Sequence, residues 1–241
     1  MSDAINKQTD DSTGKMIKQG IEASIPIALG YIPVALTFGI LAKQAGMSIL
    51  ELTMMSAFVY AGASQFMGAN MIISSASAIE IIVATFVLNF RHFIMSLSFM
   101  NNIQANINRK GRISLALGLT DESFAVNSLN IEKTDHEKGY VFFITVMLTA
   151  YITWVISSFV GGVLGDIIPE QLSQSMGIAL YALFIGLLVP SIKKNIRVVF
   201  VVIVAMLVNY LFSQVVSEGW AIVLGTLIGG LSGVLLLKED K

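Results

Sequence analysis

Apolar residues run without a charge from Ala23 to Ala42, Leu52 to Ile79, Gly139 to Gly165, Gln171 to Ile192, Val198 to Ser217 and Gly219 to Leu237. Each run approaches or exceeds the ~20 residues a helix needs to cross ~30 Å of hydrocarbon. A further apolar run, Ile81 to Phe99, is interrupted by Asn89, Arg91 and His92 and reads as a span with a polar end. Helix ends are signalled by Pro26 with Gly30, by Gly46, by the polar run Asn101 to Arg112, by the charged run Glu132 to Lys138, and by Pro169, Pro190 and Glu218-Gly219. The pattern predicts an all-α polytopic membrane protein with about seven transmembrane helices. The same pattern predicts a polar N-terminal tail over residues 1–20 and a single transmembrane domain over 21–238. The segment 113–131, moderately apolar but carrying Asp121, Glu122 and Asn127, fits an interfacial helix, a re-entrant piece or an eighth span.

Charge placement favours seven spans with the N-terminus outside. That topology puts 12 of the 15 Lys and Arg residues on the cytoplasmic side and leaves only Lys7, Lys15 and Lys18 outside. Eight spans would turn Lys43, Arg91, Arg109, Lys110 and Arg112 outward. The halves also resemble one another, Gly39 to Met67 lying over Gly162 to Pro190 and Val87-Leu88-Asn89-Phe90 over Leu207-Val208-Asn209-Tyr210. This is either a chance match of apolar sequence or a 3+3 inverted repeat plus a C-terminal helix, with repeats 22–100 and 139–215 and a linker 101–138. Inverted repeats let a transporter expose one midplane site to each side in turn.

Composition then removes alternatives. Of 241 residues 55% are hydrophobic and only 13% charged, against roughly 25% charged in a soluble domain, and the mean hydropathy is +0.76. With no cysteine and two distant histidines, thiol chemistry and a metal site are not expected. A net charge of −1 gives nucleic acid no positive surface to bind. The polar start has no apolar core followed by a cleavage site, so no cleavable signal is expected. No phosphate-binding loop and no protease or esterase motif occurs, so neither ATP hydrolysis nor other catalysis is expected, nor a cofactor.

The chemistry gathers at three places. From Phe58 to Asn70, small residues surround Ser64 and Gln65. Gly62, Ala63 and their neighbours permit either close helix packing, with Gln65 bonded between helices, or local unwinding that frees backbone groups for a solute. Arg91 is either a snorkelling anchor or a ligand paired with an anion such as Asp121, and His92 is an interfacial residue or a proton relay. Asp121 and Glu122 are either the acidic start of a capped helix or buried carboxyls suited to proton coupling. Gly225, Gly229 and Gly233 make a flat face for packing, within the chain or onto another subunit.

Four stretches in order, PIALGYIP from Pro26 to Pro33 with Phe38-Gly39, AGASQF from Ala61 to Phe66, LNFRH from Leu88 to His92, and LTDESF from Leu119 to Phe124, resemble the AzlC family over about Gly20 to Leu237. Its members are the large subunits of branched-chain amino acid exporters. The resemblance implies export of leucine, isoleucine, valine and, at its edge, methionine across a bacterial cytoplasmic membrane. It also implies a small AzlD-like membrane subunit and energy from an ion gradient. For such a zwitterion, freed N–H groups from Gly62 to Gln65 would take the carboxylate, and carbonyls, Asn89 or an acid the ammonium. Phe38, Phe58, Tyr60 and Phe66 would line the apolar part. A channel for a similar solute, a membrane-embedded enzyme using Asp121, Glu122 and His92, and a purely structural subunit are the rival readings.

Overall fold

The structure is a computed structural model that describes residues 2–103, 107, 109–132, 139–168, 185–186 and 188–236. The first span belongs to α1 (Ser2–Gln44), a 43-residue helix that also takes in the polar tail. At 1.5 Å per residue it is about 65 Å long, more than twice the hydrocarbon thickness. It crosses α7 (Gly139–Leu164), and glycines make the crossing close. A Cβ on Gly39 would strike the Ser158 carbonyl and the Gly162 nitrogen, and one on Gly161 would strike the Leu36 carbonyl. Backbone therefore packs on backbone, as small residues allow in lipid, where apolar side chains alone gain little by leaving the bilayer. Three hydroxyls along these helices bond back to their own helix: Thr37 Oγ1 donates to the Pro33 carbonyl at 2.8 Å, Thr145 Oγ1 to Val141 at 2.7 Å and Ser158 Oγ to Trp154 at 2.8 Å. No polar atom of theirs is left for lipid.

The uncharged run Leu52 to Ile79 folds as two helices and not as one span. Helix α2 (Ile49–Phe58) starts at a capping box of Ser48 and Glu51, and α3 (Gly62–Ile73) follows a three-residue break. Within the break Tyr60 has φ +42°, a conformation costing roughly 1–3 kcal/mol for a side chain of this size. Hydropathy cannot register such a break, because the side chains on either side of it stay apolar.

Helix α4 (Ala78–Asn102) carries Asn89, Arg91 and His92 near its middle. The expectation of a span with a polar end is corrected here: Ser96 to Asn102 continue the helix, so Arg91 lies too far from its end to be a terminal anchor. Segment 113–131 is likewise broken, into α5 (Arg109–Leu117) and α6 (Asp121–Leu129). Leu115, Leu119, Thr120, Ser123 and Asn127 of this pair are buried with α1 and α7.

Helices α8 (Arg197–Ser213) and α9 (Glu218–Leu236) form a second pair, with Gly225 against Asn209 and Gly229 against Ala205. That much of the glycine face packs within the chain, and Gly219 meets Met71 and Glu80. Among the described residues four helical segments, Thr13–Gln44, Ala78–Asn102, Gly139–Leu164 and Gly219–Leu236, are long and apolar enough to cross a membrane, and α2 and α8 are shorter apolar helices. No strand occurs among them. The run Gln171 to Ile192, and with it most of the segment matched to Gly39–Met67, falls largely outside the described residues.

Candidate functional site: a polar cavity at two helix breaks

The two breaks meet. A cavity of about 30 Å³ is lined by Tyr60, Ala61, Gly62 and Ala63 from the first break, by Thr120, Asp121 and Glu122 from the second, and by Tyr31, Arg91, His92 and Trp154. That is room for about two waters.

The two helix starts facing it differ. Thr120 caps α6, its hydroxyl accepting from the Ser123 N–H at 3.3 Å while Ser123 Oγ accepts from the Thr120 N–H at 2.8 Å, and α6 carries Asp121 and Glu122 in its first turn. Its positive end is thus compensated by its own residues. Helix α3 has Ala61 at the capping position, no side-chain cap and no acid in its first turn. Its first backbone bond runs from the Gln65 N–H to the Ala61 carbonyl at 2.9 Å, so the N–H groups of Gly62, Ala63 and Ser64 have no partner within the helix. An uncompensated helix start beside an arginine suits an anion.

Cross-links hold the breaks in place. Trp154 Nε1 donates to Gln65 Oε1 at 2.8 Å, and Gln65 Nε2 donates to Ser56 Oγ at 2.8 Å. One fully buried amide thereby ties α7, α3 and α2 together. Ser64 Oγ donates to Asn89 Oδ1 at 2.6 Å, bracing α3 on α4. Tyr31 donates to Glu122 Oε2 at 2.6 Å and lies 2.8 Å from Thr120 Oγ1. Arg91 Nη1 pairs with Asp121 Oδ2 at 2.9 Å. Two polar atoms in this group, Tyr60 Oη and Arg91 Nε, are buried without a hydrogen-bond partner.

The residues singled out from sequence therefore divide. Gly62, Ala63, Tyr60, Arg91, His92, Asp121 and Glu122 come together on the cavity wall. Ser64, Gln65 and Asn89 stand behind it as braces. Phe38 and Phe66 are in the packed core, stacked edge to face at 5.7 Å, and do not line the cavity. Phe58 is 78% exposed. Sequence reasoning passed over Tyr31 and Trp154 as site residues. The available signal was their type, since a buried Tyr or Trp in an apolar helix needs a partner for its O–H or N–H. Among the described residues no group of His, Asp and Glu is placed to hold a metal.

Fold and site together define a multi-pass membrane protein with a small polar chamber at broken helices, the construction expected of a solute transporter. The AzlC protein family model matches residues 26–168, and the chain belongs to the AzlC family. It is 34% identical over 189 residues to an uncharacterized membrane protein of Archaeoglobus fulgidus, covering 77% of this chain and 81% of that one. It is 28% identical over 180 residues to the inner membrane protein YgaZ of Escherichia coli, covering 73% and 74%. With the branched-chain amino acid transport protein AzlC of Bacillus subtilis it shares 25% identity over 173 residues, covering 71% and 66%. No solved structure matches the chain. It is a multi-pass protein of the cytoplasmic membrane, in a family with a named transport protein.

Proposed function

We propose that the chain is the large, solute-conducting subunit of a secondary transporter that exports leucine, isoleucine, valine and methionine, driven by an ion gradient and working with a small AzlD-like subunit. The observation that carries this reading is the two-signed lining of the cavity. The carboxylate of a zwitterion meets the uncapped N–H groups of Gly62 and Ala63 and the unpartnered Nε of Arg91. Its ammonium meets Glu122. An apolar solute would leave the α3 start and Glu122 without a ligand partner, and an anion alone would leave Glu122 unmet. Similarity to the branched-chain amino acid transport protein AzlC of Bacillus subtilis supports the amino-acid class.

Coupling follows from competition for one guanidinium. Arg91 holds Asp121 at 2.9 Å; a substrate carboxylate that takes Arg91 leaves Asp121 without its cation and ready to accept a proton. His92 stands on the same wall, beside Arg91 and Glu122. The test is expression of the chain with and without an AzlD-like subunit in cells fed peptides of these amino acids. Lower intracellular leucine, isoleucine and valine is the expected result, and no difference for any of them overturns the assignment.

A further inference from the structure

A second cavity, of about 380 Å³, lies across Tyr60 from the polar one. Its walls are Ala57 to Tyr60 at the first break, Ser114, Leu117 and Gly118 at the second, and Ile144, Met147, Leu148 and Tyr151 of α7. Each break therefore contributes to both cavities, and Tyr60 lines both. Its ring stacks edge to face on Tyr151 at 5.0 Å, while its hydroxyl is buried without a partner. Tyr151 is itself fixed by donating to the Ala57 carbonyl at 3.0 Å. No ionisable carboxylate or ammonium lines this second cavity.

We infer that the apolar cavity is the subsite for the aliphatic side chain of the transported amino acid, and that Gly118 and Met147 set its depth. The inference rests on the zwitterion reading of the polar cavity, which is too small to enclose a whole amino acid and must share it with a neighbour. The apolar cavity is that neighbour, since both breaks and Tyr60 join the two. The absence of charge on its wall favours a branched aliphatic or thioether group and disfavours acidic or basic side chains.

Gly118 is where depth is decided. A Cβ there would sit 3.2 Å from Met147 Sδ and 3.3 Å from the Ser114 carbonyl, so Met147 must give by a few tenths of an ångström and the added methyl group takes up room on this wall. Met147→Ala removes volume from the same wall and lengthens the cavity. A pocket that fits one methylene more or less discriminates by roughly 10- to 200-fold.

The experiment measures export of valine, leucine, methionine and phenylalanine by the wild-type chain, Gly118→Ala and Met147→Ala, each with the small subunit. For Gly118→Ala the leucine-to-valine ratio is expected to fall roughly tenfold or more. For Met147→Ala phenylalanine export is expected to rise relative to leucine. If Gly118→Ala fails to reach the membrane, Met147→Ala decides alone. Equal loss for every amino acid, or ratios unchanged in the variants that reach the membrane, overturns the subsite while leaving the transport reading intact. No export of any amino acid by the wild-type chain overturns the reading beneath it.

Discussion

Removing the Gln65 side chain separates a residue that touches substrate from one that positions those that do. In Gln65→Ala the buried Trp154 N–H loses its acceptor and Ser56 Oγ its donor. A stranded buried indole N–H costs about 1–3 kcal/mol. Ser56 costs less, because a hydroxyl can turn to a carbonyl of the preceding turn. The expected destabilisation is about 2–4 kcal/mol, falling on the joint that fixes the Gly62 end of α3. Trp154→Phe strands Gln65 Oε1 by the same logic. The double variant Gln65→Ala with Trp154→Phe removes both polar partners together, and the deficits should not add: a coupling of about 1–2 kcal/mol is expected. The assay is thermal denaturation of the purified protein in detergent for each single variant and the double, alongside export of valine, leucine and isoleucine. Export should fall for all three substrates by one common factor. Additivity within about 0.5 kcal/mol, or selective loss of one substrate, would refute the bracing role.

Three further outcomes are expected. Gly39→Ala should lower the amount of folded protein in the membrane through a backbone clash costing roughly 1–3 kcal/mol, whereas Gly30→Ala, with nothing within 4 Å of the added carbon, should not; equal behaviour on a fluorescence-detected size-exclusion profile would count against the close α1–α7 crossing. Both amide atoms of Asn127 are buried without a partner, so Asn127→Leu should keep or raise thermal stability, and a clear drop in melting temperature would mean that its amide is satisfied in the membrane. Asp121→Asn removes the carboxyl freed when substrate takes Arg91, so export should lose dependence on the pH gradient, and an unchanged pH profile excludes Asp121 as the coupling group.

How much of this was legible in the chain differs from residue to residue. Helices α1, α4, α7 and α9 follow from hydropathy and length, because a bilayer tests those two properties directly. The break at Tyr60 left only an indirect trace, the cluster of small residues around Gly62, since unwinding costs the backbone and leaves side-chain polarity untouched. Arg91 was legible as an unusual cation and Asp121, 30 positions along the chain on a different helix, as one candidate partner; the packing of α4 on α6 is what selects that pairing over a snorkelling anchor. The aromatic lining was legible only in part: Tyr60 stands on the polar cavity wall and Phe58 on the apolar one, whereas Phe38 and Phe66 stand on neither. Phe38 and Phe66 have the type expected of a pocket wall, yet the same type serves a core, and only the α1–α3 packing decides between them. Tyr31 and Trp154 went unnoticed among apolar neighbours, although their polar atoms hold Glu122 and Gln65.

The central claim is that the cavity at the two breaks binds both ends of an amino acid. Equilibrium binding of radiolabelled leucine to the purified two-subunit complex, competed by unlabelled leucine, by leucinamide and by 4-methylpentanoate, tests it directly. Leucinamide lacks the carboxylate that Arg91 and the α3 start would hold, and 4-methylpentanoate lacks the ammonium that Glu122 would hold. Unlabelled leucine alone should displace the label, with each one-ended analogue weaker by at least about tenfold, the ratio that 1.4 kcal/mol of lost interaction produces. Displacement by 4-methylpentanoate or leucinamide as effective as that by leucine would contradict the claim.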